Sequence, residues 1–143
     1  MGTRIRPEVS KKRKYWISKH RFYELKHFCL QYKEWKEFIF SQRYVGSPGY
    51  DQGRYDREWQ DPTGDISARI EEAERNCKLV EDSSNETDPY LAPYIMKAVT
   101  ENASYVYLRT VLDMPCGKDL YYKIYHKFFW ILDSRKSHIL QGV

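Results

Sequence analysis

Along "GKDLYYKIYHKFFWILDS", residues 117–134, lysine, aspartate, tyrosine and histidine recur at helical spacing. If Ile124 faces inward, Leu120, Tyr121, Phe128, Ile131 and Leu132 cluster on its side of a helix. Asp119, Tyr122, Lys123 and His126 then project from the opposite side, with Lys118 flanking the first turn. These groups hydrogen-bond base edges and phosphates, and a tyrosine can also pack on sugar or a thymine methyl. The free amides around Gly117 to Leu120 suit a phosphate. Lys127 lies nearer the apolar side and is placed for a backbone contact. Phe129 and Trp130 make the helix apolar nearly all round, so the N-terminal helix or a second subunit must cover them.

Other chemistries lack the residues they need. The Tyr121–Tyr122 pair has no arginine and histidine cluster, and no metal-binding histidine pair, to make a DNA-cleaving nucleophile of either phenol. His20 and His27 share a helix face without a third ligand, and His126 and His138 stand apart. Cys29, Cys77 and Cys116 are odd in number and show no CxxC or CxxxH spacing, so neither a zinc site nor a disulfide framework is expected. No GxSxG, GxxxxGK[ST] or HExxH occurs. The expectation is a non-enzyme with no metal and no cofactor.

The elements around this helix follow from spacing and breakers. Ser18 is a plausible N-cap, and Phe22, Leu25, Cys29 and Tyr32 follow at helical intervals. Trp35, Phe38 and Ile39 extend the stripe after a break near Gln31. This gives an amphipathic N-terminal segment over 18–45. Residues 46–64 carry enough glycine and proline to read as a linker, with Tyr50, Tyr55 and Trp59 as surface anchors. A helix over 66–82 carries Ile66, Ile70, Ala73, Cys77 and Val80 on a narrow, coiled-coil-like stripe, and "EDSSNETD" closes it. Asp88 before Pro89 starts the next helix, to Thr100, with Leu91, Ile95, Ala98 and Val99 inward. Ser104 caps a helix to Leu112 in which Leu108, Val111 and Leu112 point inward. "DMPCG" then breaks it, with proline removing a donor and glycine tolerating unusual dihedrals.

The fold class is therefore all-α: a small helical domain over 65–143 with a C-terminal tri-helical helix-turn-helix (89–136) and an N-terminal amphipathic helix. In such a unit the first two helices bury one side of the third and leave the other side free for a major groove. The same spacing also serves a purely structural three-helix core with a solvated face.

Charge is asymmetric. Residues 1–44 hold 12 Lys/Arg against 4 Asp/Glu, residues 45–102 hold 6 against 13, and residues 103–143 hold 6 against 3. Two basic segments flanking an acidic one suit a polyanion. Residues 1–17 read as a flexible basic arm whose Lys11, Lys12, Arg13 and Lys14 can reach along a DNA backbone or into a minor groove, or simply aid solubility. No run approaches a membrane helix, and the N-terminus lacks a signal peptide's apolar segment. A cytoplasmic protein with no membrane partner is expected.

Two stretches carry a family resemblance: "KHRFYELKHFCLQYKEWKEFI" (19–39) and "SYVYLRTVLDMPCGKDLYYKIYHKFFWILDSRK" (104–136). The chain resembles the small phage and prophage late-transcription regulators typified by RinA and ArpU. Those have a C-terminal unit similar to region four of sigma factors. The resemblance implies a recognition helix beginning with Lys118, Asp119, Tyr121, Tyr122 and Lys123, a cap at Ser104, a bacterial host cytoplasm, and double-stranded DNA and RNA polymerase as partners. The "MPCG" turn is longer than a sigma-like turn, and 46–64 has no counterpart. The expected function is that of a sequence-specific DNA-binding transcriptional regulator, with a homodimer forming through helix 66–82 or Phe129/Trp130. A small terminase-like packaging subunit and a protein-binding helical adaptor are the alternatives.

Overall fold

The computed structural model describes residues 5–7, 11–45 and 63–141 and contains helices and no strand among them. Ser18 caps α1 (Lys19–Leu30) by accepting a hydrogen bond from the Arg21 amide at 3.4 Å. The helix ends at Gln31, whose amide donates to the Phe28 carbonyl, and α2 (Tyr32–Phe40) follows after this break. A π-helical turn, Ser41–Val45, completes the N-terminal segment. The expected linker at 46–64, with Tyr50, Tyr55 and Trp59, lies outside the described residues up to position 62.

Two units form, residues 1–31 with 79–143, and residues 32–78. The division falls after Gln31 and within the third helix. The reason lies in α1: Phe22, Leu25 and Cys29 are buried in the same unit as the C-terminal helices.

Helix α3 (Thr63–Thr87) is longer than the 66–82 expected. It runs through most of "EDSSNETD" and closes at Thr87, inside that stretch, with the buried hydroxyls there bonded to carbonyls. Ser83 Oγ donates to the Leu79 carbonyl at 2.8 Å, and Thr87 Oγ1 to the Ser83 carbonyl at 2.7 Å. Ser84 Oγ donates instead to the Ala92 carbonyl and ties the end of α3 to the next helix. Ser83, Ser84 and Thr87 are thus buried with their hydroxyls satisfied.

Asp88 does act as a cap, but of a turn. Its carboxylate accepts from the amides of Tyr90 and Leu91. Helix α4 (Ala92–Glu101) starts three residues after Pro89, and it is Pro93 that occupies the first turn. It ends on Asn102 in the left-handed region, φ 57°. Ser104 caps α5 (Tyr105–Thr110), its hydroxyl accepting from the Tyr107 amide at 3.1 Å. Leu108 is fully buried and Leu112 half-buried, but Val111, expected inward, is 60% exposed because α5 has already ended.

The break before the last helix is an ordered turn. The Met114 amide donates to the Leu108 carbonyl at 2.9 Å, and Arg109 Nη1 donates to the Met114 carbonyl at 2.6 Å. The left-handed residue of this turn is Asp113, φ 60°, and not Gly117. Helix α6 (Lys118–Gln141) outruns its expected end at 134. Its later turns are held at Arg21–Asp133, at Lys136 over the Phe28 ring, and at Arg135–Glu86.

In the first unit α1 packs against α4 and α6, and α4 against α5. The core between them is aromatic around Phe22, Tyr121, Tyr125, Phe128 and Phe129. In the second unit, Arg43 pairs with Glu74 at 2.8 Å, and the Arg69 guanidinium lies 5.7 Å from the centre of the Phe38 ring. Ala73, Cys77 and Val80 of the expected dimer stripe are buried within the single chain. No helix among the described residues is long and apolar enough to cross a membrane.

Candidate nucleic-acid interface

The buried side of α6 is set by Tyr121, Ile124, Tyr125, Phe128, Phe129, Ile131 and Leu132. Tyr125 and Phe129 widen the apolar stripe beyond the side marked by Ile124, so the exposed strip that remains is narrow. Asp119 and Lys123 lie on it, followed by Trp130 and Ser134, while Lys127 is half-buried beside it. Leu120, expected inward, sits in the first turn at 48% exposure. It lies at the rim of the apolar stripe, where no preceding turn of the helix lies beside it.

The site residues expected at Ser104 and on the first turns of α6 therefore separate into three groups. Lys118, Asp119 and Lys123 are exposed on the first turns, and Tyr122 is half-buried with the Lys118 ammonium 5.7 Å from its ring centre. Lys123 makes no ion pair among the described residues. Tyr121 is the correction: at 2% exposure, between Tyr105 and Tyr125, it belongs to the core and cannot meet a base. Burial pushes its phenol well above the ordinary range, so the hydroxyl stays protonated, and its oxygen has no hydrogen-bond partner among the described residues. Ser104 is the third case. Its hydroxyl accepts from the Tyr107 amide, which makes it a helix cap.

His126 is not bare. Its Nε2 donates to the Arg6 carbonyl at 2.8 Å, and its ring lies 6.3 Å from Phe22. One turn on, Tyr15 packs edge-on against Trp130 with ring centroids 5.3 Å apart. Ile17 is buried and Trp16 half-buried. The N-terminal segment, expected as a free arm, is thus seated on α6 through its described residues. Its charges remain outside: Lys11, Lys12, Arg13 and Lys14 are all exposed, with Lys11 over the Trp16 ring and Lys14 over the Tyr15 ring. The aromatic residues that seat the segment, Tyr15 and Trp130, were not foreseen as a pair. The signal was present in "KKRKYW", where aromatics directly follow the charges.

Phe129 is covered by Phe22 at 5.0 Å between ring centroids, so the N-terminal helix provides its cover, and the expected dimer surface at Phe129/Trp130 reduces to a partly exposed Trp130. Electrostatically the first unit is basic. Residues 1–31 and 79–143 together carry 16 Lys/Arg against 10 Asp/Glu, while residues 32–78 carry 8 against 10. Asp133, the acidic group of α6 nearest its middle, is engaged by Arg21 Nε at 2.6 Å.

The turn between α5 and α6 spans 111–117, longer than the roughly three to four residues of a helix-turn-helix connection. Among the described residues no three His, Cys, Asp or Glu side chains are grouped to hold a metal ion. The arrangement has exposed ammonium groups and the amides of a helix start side by side. Models of known protein families, curated proteins and solved structures yield no match to this chain.

Proposed function

We propose that the protein binds double-stranded DNA through the first turns of α6 and acts as a transcriptional regulator of the phage type. The observation that carries this reading is the split personality of α6. One side is sunk in an aromatic core, and its opposite side presents Lys118, Asp119 and Lys123 at the N-terminal end. A helix supported from behind and bare in front fits a major groove. In this reading α4 and α5 are the supporting helices, and the lysines and the Tyr122 hydroxyl contact base edges and phosphates. The basic balance of the first unit favours association with a polyanion. The resemblance to phage late regulators supplies the setting, a bacterial cytoplasm with RNA polymerase as further partner.

The test is fluorescence anisotropy with a random duplex pool and with sequences selected from it, at two salt concentrations. The variant Tyr122→Ala/Lys123→Ala keeps its helical circular dichroism and loses about 1–3 kcal/mol of specific binding per base contact removed. Lys118→Ala lowers the salt slope by about one. Binding unchanged in the double variant, or no binding by the intact chain at low salt, rules the reading out.

A further inference from the structure

We propose that the N-terminal segment is a fixed phosphate clamp, seated on α6 by Tyr15–Trp130 and by the Arg6–His126 hydrogen bond, which grips the DNA backbone beside the stretch met by the first turns of α6. The inference rests on the DNA-binding reading and deepens it.

Length along the helix separates the two contacts. At about 1.5 Å per residue, Trp130 lies about 18 Å beyond Lys118. A major groove is about 12 Å wide. With Lys118 and Lys123 in the groove, the helix at Trp130 has already reached its edge, where phosphates rather than base edges are found. The seated segment lies at this position, between His126 and Trp130.

The charges are held ready there. The Lys11 ammonium lies 5.8 Å from the Trp16 ring centre and that of Lys14 5.6 Å from the Tyr15 ring centre. Their stems are braced on aromatics, and Tyr15 in turn leans on Trp130. Arg13 is exposed between them. The acidic group closest along α6, Asp133, is paired with Arg21 and so does not compete for these lysines. A seated segment has lost its chain entropy before DNA arrives, so its phosphate contacts carry less ordering cost than those of a free arm. Tyr15, Trp130 and His126 are then positioning residues, and Lys11, Arg13 and Lys14 are the contacts.

Three full-length variants and a fourth as control test this, each measured as the slope of log K against log salt on a random duplex and on a selected sequence. Lys11→Ala/Arg13→Ala/Lys14→Ala removes the contacts and lowers the slope by about 2 to 3. Tyr15→Ala removes no charge, yet it lowers the slope by a similar amount because the segment leaves α6. Lys123→Ala reduces the preference for the selected sequence, which neither of the other two changes. Trp130→Ala, reading out the same loss from the other partner, controls for misfolding by Tyr15→Ala. An unaltered slope in Tyr15→Ala and Trp130→Ala overturns the clamp while Lys123→Ala still reports on groove binding. A slope unaltered by the triple variant does the same. Absence of any duplex binding by the intact protein overturns both readings together.

Discussion

Phe22 of α1 packs against Phe129 of α6 with ring centroids 5.0 Å apart and ring planes at 58°, both side chains being only 1% exposed. Phe22 also reaches Tyr125 and His126. One residue near the N-terminus therefore closes the flank of a helix more than a hundred positions later. Phe22→Ala leaves a void lined by Phe129 and Tyr125, and a truncation of this size costs about 3–5 kcal/mol. Set against a domain stability of about 5–15 kcal/mol, that is a large share. Urea unfolding followed by circular dichroism is expected to show a midpoint moved far to lower denaturant. A midpoint within error of the parent chain's would mean that α1 does not belong to this core.

Tyr121 illustrates a different balance. Its ring is well packed, but its hydroxyl oxygen is buried without a hydrogen-bond partner among the described residues. An orphaned buried hydroxyl costs about 1–3 kcal/mol, whereas the ring accounts for the packing. Tyr121→Phe keeps the ring and removes the orphan. The expected result is a gain of roughly 1 kcal/mol in thermal or urea stability, with affinity for duplex DNA unaltered. A loss of DNA affinity in this variant would return Tyr121 to the interface.

The sequence made the class and the inventory of helices legible because both follow from local rules. Ser18 and Ser104 cap where a hydroxyl precedes an apolar-periodic run, and Gln31 breaks the N-terminal stripe where its spacing falters. Element ends were less legible. Ser83, Ser84 and Thr87 look like loop formers, yet burial turns their hydroxyls onto helix carbonyls and prolongs α3. The inward side of α6 was read well at Tyr121, Ile124, Phe128, Ile131 and Leu132 but badly at Leu120 in its first turn, and that of α5 badly at Val111, just past its last turn. The seating of residues 11–17 was hidden for another reason. A contact such as Tyr15–Trp130 has no periodicity and joins positions far apart in the chain. The candidate site changed accordingly: Lys118, Asp119 and Lys123 stand where the helix wheel put them, Tyr121 lies in the core as the wheel had it and not at the site as the resemblance implied, and His126 lies under the N-terminal segment.

Alkaline lability follows from the buried thiol and phenols. Burial pushes Cys29 up from a thiol's ordinary 9.0, against a smaller pull downward from the nearby Lys136 ammonium. Burial likewise pushes Tyr121 and Tyr125 up from a phenol's 10.0, with neighbouring phenols and thiols adding to it. The unfolded chain therefore releases these protons first as pH rises. Their contribution to stability is whole below about pH 9 and is lost progressively above it. Lys136, pulled down by its own desolvation, works in the opposite sense, but it is one group against three. The urea midpoint is expected to fall between pH 8 and pH 10.5, and to fall less in Tyr125→Phe. A midpoint that rises over this interval contradicts the burial of these groups.

The turn before α6 places its conformational demand on an unexpected residue. Asp113 adopts φ 60°, where a side chain is strained, while Gly117 shows no such angle and has open space where a Cβ would stand. Glycine at 113 relieves the left-handed strain, which for a residue with a Cβ is about 1 kcal/mol, and part of that gain is offset by the greater freedom glycine gives the unfolded chain. Asp113→Gly is therefore expected to raise stability by about 0.5 kcal/mol. Gly117→Ala meets no neighbour and has its φ in the ordinary range, so it changes stability by less than about 1 kcal/mol. Differential scanning fluorimetry of the two variants side by side makes the comparison. If Gly117→Ala were the damaging one and Asp113→Gly silent, the turn would have to be drawn with its left-handed residue at the glycine, and the start of α6 would shift with it.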